Sequence, residues 1–432
     1  MNWRLGYRAC LGGASAALLV AHQAANQTAA LEGTAPAKTT PRDLDLRFVQ
    51  VVFRHGARAP LTENFGAHSH KWEYCDRAYE AIKVDIRGLE GTDRPVSQSD
   101  ERQRKVVFAG GCRKGQLTSM GQLQALQLGG WLRERYALER DFLPDSYQPS
   151  ALKVRSTNIS RTLDTATGVL TGLYPDTTDP ILIETCDDRR EWLYPNHRNC
   201  KRLSELIAGK RAQMQKNRRA EAYYKGLEAK LREAIEGEGE GGDPIRFVEL
   251  FDVCKTVKFH SNKQHHKMSE ALMRELELVA VEQMKGFVAP EDNNEMLSLS
   301  IGKVIQDLLE GMQHAASGKV GVAKMKLFSG HDTTLMPLLV ALGYELKNWP
   351  PFMSNLIFEL YWSPSDQKHY VKVLYNQEVV RVEGCDAEGL LELPAFHKRL
   401  EPFVSHDYSH DCAAVSGPKE AKARAQGGNM GV

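Results

Sequence analysis

The sequence predicts an α/β protein whose sheet core is interrupted by a long, mostly helical insertion. Four short apolar runs have the length and composition of buried strands, and segments with helical spacing lie between them. Between about residues 200 and 320 the chain changes and becomes rich in Lys, Arg and Glu with helical spacing. Strands followed by one long helical block are typical of an α/β core that carries an insertion.

The first predicted strand covers residues 46–53 and leads into an unusual cluster of polar side chains. Arg54, His55 and Arg58 follow it directly, Gly56 allows a sharp turn, and Pro60 ends any regular element. Two guanidinium groups and one imidazole are therefore expected at the carboxyl end of a buried strand. Ligands bind at that edge in open α/β sheets.

Residues 61–115 show no sustained period and are predicted as a long excursion over the mouth of a site, since long loops of this kind tend to be functional. Four aromatic residues in it either pack the excursion onto the core or line a substrate groove: Phe65, Trp72, Tyr74 and Tyr79. The sequence leaves both interpretations open.

A helix is predicted over residues 118–136, with Thr118 as its N-cap. A short strand at residues 153–154 then precedes Arg155, and a second helix is predicted over residues 160–174. Arg155 is thus another guanidinium at a strand end, before a helix whose amino terminus favours anions. Arg161 falls inside that helix and is expected to brace the site or pair with an acid.

A third strand is predicted at residues 181–184, and the helical insertion follows, with a Gly- and Glu-rich break at residues 237–242. The fourth strand, residues 325–328, leads to His331 and Asp332 and then to a helix over residues 334–342. Residues 355–362 and 370–375 are predicted as an antiparallel pair, residues 394–403 as a short helix, and residues 413–432 as a disordered tail.

The pattern Arg-His-Gly-x-Arg-x-Pro at residues 54–60, with His331-Asp332 after a distant strand, resembles the histidine acid phosphatases. Further stretches between about residues 46 and 412 carry the same resemblance: Gly115-Gln116-Leu117-Thr118, Arg155-Ser156-Thr157, Leu193-Tyr194-Pro195-Asn196 and Trp349-Pro350-Pro351-Phe352. The resemblance implies a three-layer core, similar to phosphoglycerate mutase, formed by residues 42–199 and 321–412. It implies a helical cap formed by residues 200–320.

The clustered residues suit the cleavage of a phosphate monoester. Arginines can bind phosphate oxygens and stabilise charge in the transition state, and a neutral His55 can attack phosphorus in line. Asp332 is the expected proton donor to the leaving oxygen. The phosphate-binding side chains are expected to be Arg54, Arg58, Arg155 and His331, as the resemblance also implies. We expect no metal and no cofactor, because the arginines supply the positive charge.

The intervening stretches resemble family members that act on lysophosphatidic acid, which implies release of phosphate and monoacylglycerol. A broad acid phosphatase or an inositol-polyphosphate phosphatase on the same site is the alternative. A phosphotransferase similar to phosphoglycerate mutase and an inactive lipid-binding protein are also possible, but the presence of Asp332 and of all six site residues argues against both. Gly-x-Ser-x-Gly, the motif of an esterase, is absent.

Composition argues against two classes of partner. With 56 basic and 55 acidic residues the formal net charge is +1, which argues against nucleic acid and anionic membrane as partners. No apolar run is long enough to span a bilayer, so we expect no stable membrane insertion. The expected partner is a small phosphate monoester, namely a single-chain lipid phosphate, and the expected state is a monomer.

Residues 1–41 are predicted as a targeting segment and linker. Arg4 and Arg8 precede a short apolar stretch, and no acid occurs before Glu32, which fits a mitochondrial transit peptide or a secretory signal peptide. The resemblance implies the mitochondrion, and a secreted or lysosomal destination is the alternative. The eight cysteines are scattered without metal-ligand spacing and are expected to be mostly free buried thiols.

Overall fold

The computed structural model describes residues 43–235, 244–261 and 267–413. The predicted targeting segment, the Gly- and Glu-rich stretch at residues 237–242 and residues 414–432 of the predicted tail lie outside the described residues. No helix in the three described ranges is long and apolar enough to cross a membrane.

The described residues form one mixed sheet of nine strands in the order β2-β4-β3-β5-β1-β6-β7-β8, with β9 also paired to β7. The strands from β2 to β1 run parallel, and β6 to β9 add an antiparallel extension. Their bounds are β1 Asp45–Arg54, β2 Val84–Gly88, β3 Leu152–Ser156, β4 Ile181–Thr185, β5 Met325–Gly330, β6 Asn355–Ser363, β7 Lys368–Tyr375, β8 Glu378–Val379 and β9 Leu390–Glu392.

Within the described ranges the α-helices are α1 Gln98–Gln103, α2 Ser119–Arg133, α3 Ser160–Leu173, α4 Lys201–Ala220, α5 Ala222–Ala234, α6 Phe247–Ser261, α7 Glu270–Val288, α8 Asn294–Ala316, α9 Asp332–Ala341, α10 Leu393–Leu400 and α11 Tyr408–Asp411. Thr118 is the N-cap of α2, as predicted, and its hydroxyl accepts the backbone N–H of Gly121.

Strand β1 lies between β5 and β6, and its side chains alternate between two apolar layers. Val49, Val51 and Phe53 pack with residues of α2 and α3 on one face. Phe48 and Val52 pack on the other face with residues of α8 and α9. The predicted three-layer α/β architecture is confirmed, and the central position of β1 explains why its apolar run is nearly continuous.

Helices α4 to α8 fill the chain between β4 and β5, which confirms the mostly helical insertion. Its apolar residues join the same cluster as the α8 and α9 side of the sheet, so the helices pack directly on the core. The proposed domain boundaries at residues 200 and 320 stay a prediction.

The expectation of mostly free thiols is wrong for four cysteines. Disulfide bonds join Cys75 to Cys112 and Cys200 to Cys412. Of the remaining thiols in the described part of the chain, Cys186 and Cys254 are buried and Cys385 is half-buried. The spacing along the chain gave no indication of the longer bond, because it spans 212 residues that only the fold brings together.

The excursion at residues 61–115 contains regular elements that its irregular pattern did not predict. Val84–Gly88 forms the edge strand β2 beside β4, and Gln98–Gln103 forms the short helix α1. The strand was missed because its five residues are short and mostly half-buried, so it has neither a continuous apolar run nor a clear alternation.

Candidate active site

Three parallel strands end side by side and bring the predicted polar residues to one edge of the sheet. Arg54 at the end of β1 is in register with Gly330 of β5, and Ser156 at the end of β3 is in register with Ser329. His55 and Asp332 follow within two residues of these ends. The site lies at the carboxyl edge of the parallel strands, the position expected for ligand binding.

The turn after β1 packs tightly against the start of α2. A Cβ atom at Gly56 would overlap the backbone of Gly121, and a Cβ atom at Gly121 would overlap the backbone of Ala57. The backbone N–H of Ala57 also donates to the side chain of Gln124 at 2.9 Å. Glycine is therefore required at residue 56 because two backbone segments meet there.

A cavity of about 1010 Å³ opens above these strand ends. Five of the six predicted site residues line it: Arg54, His55, Arg58, His331 and Asp332. Its volume is at the upper end of the range that holds a drug-sized ligand, so it has room for more than a phosphate group.

His55 is buried, and its ring is held in one orientation. Its Nδ1 lies 2.9 Å from the carbonyl oxygen of Gly56, which can only accept, so Nδ1 carries the proton. Burial lowers the pKa of His55 well below its usual value, and the positive charges of Arg161 and Arg54 lower it further. The imidazole is therefore neutral, and Nε2 keeps a free lone pair.

Arg54 and Arg58 are both buried, and each forms an ion pair with one aspartate. Arg54 Nη2 lies 2.9 Å from Asp332 Oδ2, and Arg58 Nη2 lies 2.7 Å from Asp252 Oδ1. The ring of Phe352 lies beneath both guanidinium groups, 4.5 Å from Arg54 Cζ and 5.7 Å from Arg58 Cζ. These contacts fix both guanidinium planes before any ligand binds.

Arg155 does not line the cavity, in contrast to the role expected for it. Its guanidinium donates to both carboxylate oxygens of Glu191, at 2.9 and 3.0 Å, in a buried ion pair. Glu191 also accepts the backbone N–H groups of Trp192 and Leu193. Arg155 therefore fixes the loop that carries Tyr194, whose ring lies 5.7 Å from that of His331.

Arg161 occupies the place expected for Arg155. It lines the cavity from the first turn of α3, and it forms no ion pair with any described residue. Burial lowers its pKa from the ordinary value to about 9, and the charge of Arg58 contributes. Of the two roles expected for Arg161, pairing with an acid is not observed, whereas its Nη1 donates to the side chain of Gln103 at 3.2 Å. Its position in the cavity lining was not predicted, because helical spacing does not show which face of α3 meets the cavity.

The three buried arginines of the cavity lining have an unused donor. The Nε–H groups of Arg54, Arg58 and Arg161 are buried and have no acceptor among the described residues, a feature they share with Arg155 and Arg399 outside the cavity. Buried donors of this kind are rare without a reason, since leaving one unsatisfied costs about 1–3 kcal/mol. A bound phosphate group brings three oxygen acceptors to the same cavity.

Asp332 accepts three hydrogen bonds or ion-pair contacts. Oδ2 receives Trp349 Nε1–H at 2.9 Å in addition to Arg54, and Oδ1 receives the backbone N–H of Thr333 at 2.8 Å. Burial alone would raise the pKa of Asp332, but Arg54, Arg58 and the indole N–H together hold it below the usual value. In the free protein Asp332 is a carboxylate at neutral pH.

His331 lies beside His55, with the ring centroids 5.6 Å apart. Its Nε2 is 3.1 Å from the hydroxyl oxygen of Thr157. Burial and the charge of Arg161 lower its pKa well below the usual value, although Asp332 opposes them. A neutral imidazole still has one N–H, so His331 can donate a hydrogen bond to a phosphate oxygen.

The aromatic residues of the excursion do not line the cavity. Trp72 is buried in the core and donates to the carbonyl of Ala67 at 3.0 Å, and Phe65 is also buried. The packing interpretation is therefore the correct one for these rings. The apolar wall instead comes from α4, α6 and α7: Ile207, Val248, Phe251, Met284, Phe287 and Val288.

Further positive side chains of the cavity lining include Arg198 and Arg211, and His197 also lines the cavity. Burial lowers the pKa of His197, and both arginine charges contribute, so His197 is neutral at neutral pH. Arg198 and Arg211 form no ion pair within the described ranges. Nowhere in those ranges do three or more His, Cys, Asp or Glu side chains form a group that could hold a metal ion.

Sequence reasoning missed two residues that contact the predicted site. Asp252 pairs with Arg58 from within the charged helical insertion, where no site residue was predicted. Trp349 belongs to one of the motifs given above, but no role was predicted for its indole N–H. No pattern in the sequence identifies either contact: the first joins residues 194 positions apart, and the second depends on how the segment after α9 folds back onto Asp332.

Comparisons with known proteins agree with this geometry. A profile of the histidine phosphatase superfamily (branch 2) matches residues 45–376. The chain is 31% identical over 372 residues to lysophosphatidic acid phosphatase type 6 of Mus musculus, covering 83% of this chain and 86% of that protein. It is 30% identical to the Homo sapiens protein of the same name, covering 84% of each.

Among solved structures, the apo form of Hafnia alvei phytase matches with a TM-score of 0.58 at 17% identity. The match covers 87% of this chain and 100% of that chain. At this level of identity the likeness concerns the fold, and it agrees with the three-layer core and the helical insertion.

Proposed function

Because this chain belongs to branch 2 of the histidine phosphatase superfamily and is an acid phosphatase, we propose that its substrate is a single-chain lipid phosphate. The reaction is the hydrolysis of lysophosphatidic acid to monoacylglycerol and inorganic phosphate. It proceeds through a phosphohistidine intermediate on His55.

The observation that carries the proposal is one cavity with two chemically different parts. Arg54, Arg58 and Arg161 surround the inner part, and apolar side chains of three cap helices line the outer wall. A phosphate group matches the first part and an acyl chain matches the second. The names of the relatives that are 30–31% identical support the same substrate.

Burial of the substrate's acyl chain can account for a preference for lysophosphatidic acid over glycerol phosphate. Each fully buried methylene contributes about 0.8 kcal/mol. Partial burial of about six methylenes would contribute roughly 2–3 kcal/mol, which corresponds to about a hundredfold preference over glycerol phosphate.

In the first step, His55 Nε2 attacks phosphorus opposite the leaving oxygen. An N–P bond forms, the bond between phosphorus and the alkoxide oxygen breaks, and Asp332 gives its proton to that oxygen. Arg54, Arg58 and Arg161 hold the three other oxygens and stabilise the charge that develops on them.

The proton on Asp332 depends on the bound phosphate. In the free protein Arg54 stabilises the carboxylate, but a bound phosphate dianion shares Arg54 and places negative charge beside Asp332. Negative charge raises the pKa of a neighbouring carboxyl group. We therefore expect Asp332 to take up a proton when substrate binds, which is the form the first step needs.

In the second step, water attacks the phosphohistidine. Asp332, now a carboxylate, accepts the proton from the water, the N–P bond breaks, and inorganic phosphate forms. His55 returns to its neutral state, and Asp332 holds the proton until inorganic phosphate leaves, after which it is again a carboxylate.

A substrate panel tests the proposed substrate. We expect kcat/KM to rise from glycerol phosphate to short-chain and then medium-chain lysophosphatidic acid, measured below the micellar threshold. Acid quenching with labelled substrate should trap acid-labile, base-stable label on the protein, and His55→Ala should abolish both label and turnover. A flat chain-length profile would discard the lipid substrate, and label on Ser or Asp would discard the phosphohistidine.

A second candidate substrate is an inositol polyphosphate. The positive side chains Arg198 and Arg211 in the cavity lining favour it, because they could bind further phosphate groups. The apolar side chains of the same lining argue for the lipid, and the Arg211 guanidinium lies against one of them, 5.6 Å from the ring of Phe287. A kcat/KM for inositol hexakisphosphate above that for medium-chain lysophosphatidic acid would establish the alternative.

A further inference from the structure

One face of helix α6 contacts the loop that carries His55. Three side chains on this face are spaced three and eight residues apart, so they lie on the same side of the helix: Glu249, Asp252 and His260. Glu249 accepts the hydroxyl of Thr62 at 3.3 Å, and His260 Nε2 lies 2.9 Å from the hydroxyl oxygen of Thr118. The helical cap is therefore attached to the nucleophile loop by polar contacts.

Asp252 lies at the centre of this face and makes three contacts with the loop. Its two oxygens accept from Arg58 Nη2 at 2.7 Å and Nη1 at 3.2 Å. Oδ2 also accepts the backbone N–H of Leu61 at 3.1 Å. Because the pairing is bidentate, the carboxylate sets the plane of the guanidinium as well as its position.

The same contact changes the charge of the phosphate site. Asp252 places a negative charge directly against Arg58, and Asp332 places one against Arg54. With both histidines neutral, these two carboxylates offset part of the positive charge that the arginines bring to the strand ends. Removing the Asp252 charge would make this part of the cavity more positive by one unit, and a phosphate anion would bind more tightly.

We propose that Asp252 is a positioning residue of the phosphatase reaction: it orients Arg58 for the transition state, and it weakens the binding of phosphate so that the product can leave. The cap then contributes to the chemistry through α6 as well as to the substrate wall. The proposal concerns phosphate transfer alone and does not depend on the lipid substrate.

Steady-state kinetics with p-nitrophenyl phosphate, with inorganic phosphate as a competitive inhibitor, test the proposal. Asp252→Asn keeps the shape of the side chain and one hydrogen-bond acceptor but removes the negative charge. We expect kcat to fall about tenfold, because Arg58 loses its fixed orientation. We expect the inhibition constant for phosphate to fall about three- to tenfold, because the site becomes more positive. Loss of structure alone would raise that constant.

Asp252→Glu separates the two effects. It keeps the charge but moves the carboxylate by one methylene, so kcat should fall while the inhibition constant for phosphate stays near that of the wild type. Asp292→Asn is the control for removing a carboxylate from the cap: it breaks an exposed ion pair, with Lys210 at 2.7 Å, outside the lining of the active-site cavity. Neither kinetic constant should change in that variant.

Two results would overturn the proposal. The first is an inhibition constant for phosphate that is unchanged or raised in Asp252→Asn, provided that circular dichroism shows that this variant folds. The second is an unchanged kcat in Asp252→Glu, which excludes the positioning role even if Asp252→Asn does not fold.

Discussion

Asp332 must be protonated to act as an acid, yet Arg54, Arg58 and Trp349 all stabilise its carboxylate form. The arginines that we propose to bind phosphate thus also control the protonation of the proposed proton donor. When a phosphate anion shares Arg54, its negative charge opposes that stabilisation. Binding and protonation are linked at this residue, which gives two predictions at the scale of single side chains.

Replacement of Asp332 by Asn should affect substrates according to their leaving groups. An alkyl phosphate needs a proton on the departing oxygen, so kcat should fall roughly 10²–10⁴-fold, the usual scale of general acid catalysis. A nitrophenyl ester leaves without protonation, so its loss should be much smaller. Equal losses on both substrates would mean that Asp332 has a structural role only.

Replacement of Trp349 by Phe should shift the pH profile of the alkyl substrate. The indole N–H donates to Asp332 Oδ2 at 2.9 Å and lowers the pKa of that carboxyl. Without it the pKa rises and the acid form persists to higher pH. The alkaline limb of kcat should therefore move up, by about half a pH unit. With the nitrophenyl ester as the control substrate, the alkaline limb of the pH profile should not move. A shift of that limb to lower pH with the alkyl substrate would contradict the assignment of Asp332 as the proton donor.

At the scale of elements, helices α4, α6 and α7 decide what the cavity can recognise beyond phosphate. The ends of β1 and β5, the turns after them and helix α3 supply the arginines and histidines, whereas the cap helices supply the apolar wall. The sheet can therefore keep one phosphate chemistry while side chains on the cap change the preferred substrate. This division agrees with the general finding that specificity lies in segments mounted on a rigid core.

Phe287 on α7 provides a test of the wall. It is half-buried, and it lines the cavity with Met284 and Val288. Phe287→Ala should flatten the rise of kcat/KM with acyl-chain length and leave p-nitrophenyl phosphate hydrolysis nearly unchanged. Trp72→Phe is the control, since Trp72 packs in the core and its replacement should keep the profile. If kcat/KM still rises steeply with acyl-chain length in Phe287→Ala, the acyl chain binds elsewhere.

At the scale of the whole molecule, two disulfides connect distant segments. Cys200 at the start of the cap is bonded to Cys412 near the end of the described chain, and Cys75 is bonded to Cys112 within the excursion. Such bonds persist in oxidising compartments. Both destinations considered for the targeting segment, mitochondrial and secretory, stay predictions.

Removal of the longer disulfide should destabilise the protein strongly. The bond closes a loop of 212 residues, and the entropy of closing such a loop corresponds to roughly 5 kcal/mol. The double variant Cys200→Ser with Cys412→Ser should unfold at a clearly lower urea concentration than the wild type. Cys385→Ser, which removes a free half-buried thiol, is the control and should change the midpoint little.

Much of this protein follows from the sequence alone. The apolar runs predicted the strands β1, β3, β4 and β5 and the helices between them, because burial and periodicity are local properties of a chain. The polar residues directly after β1 and β5 had to lie at one edge, since parallel strands end together. The structure brings Arg54, His55, Arg58, His331 and Asp332 to one cavity, as their positions along the chain predicted, and their roles in catalysis and binding stay predictions.

The tertiary structure decided the contacts between segments that are distant in sequence. It placed Arg161 rather than Arg155 in the cavity, paired Asp252 with Arg58 across 194 residues, and joined Cys200 to Cys412. It also moved the apolar wall from the excursion to the cap. Periodicity shows that a side chain is buried but does not show what it is buried against. For a charged side chain, the partner determines whether it binds substrate or braces the fold.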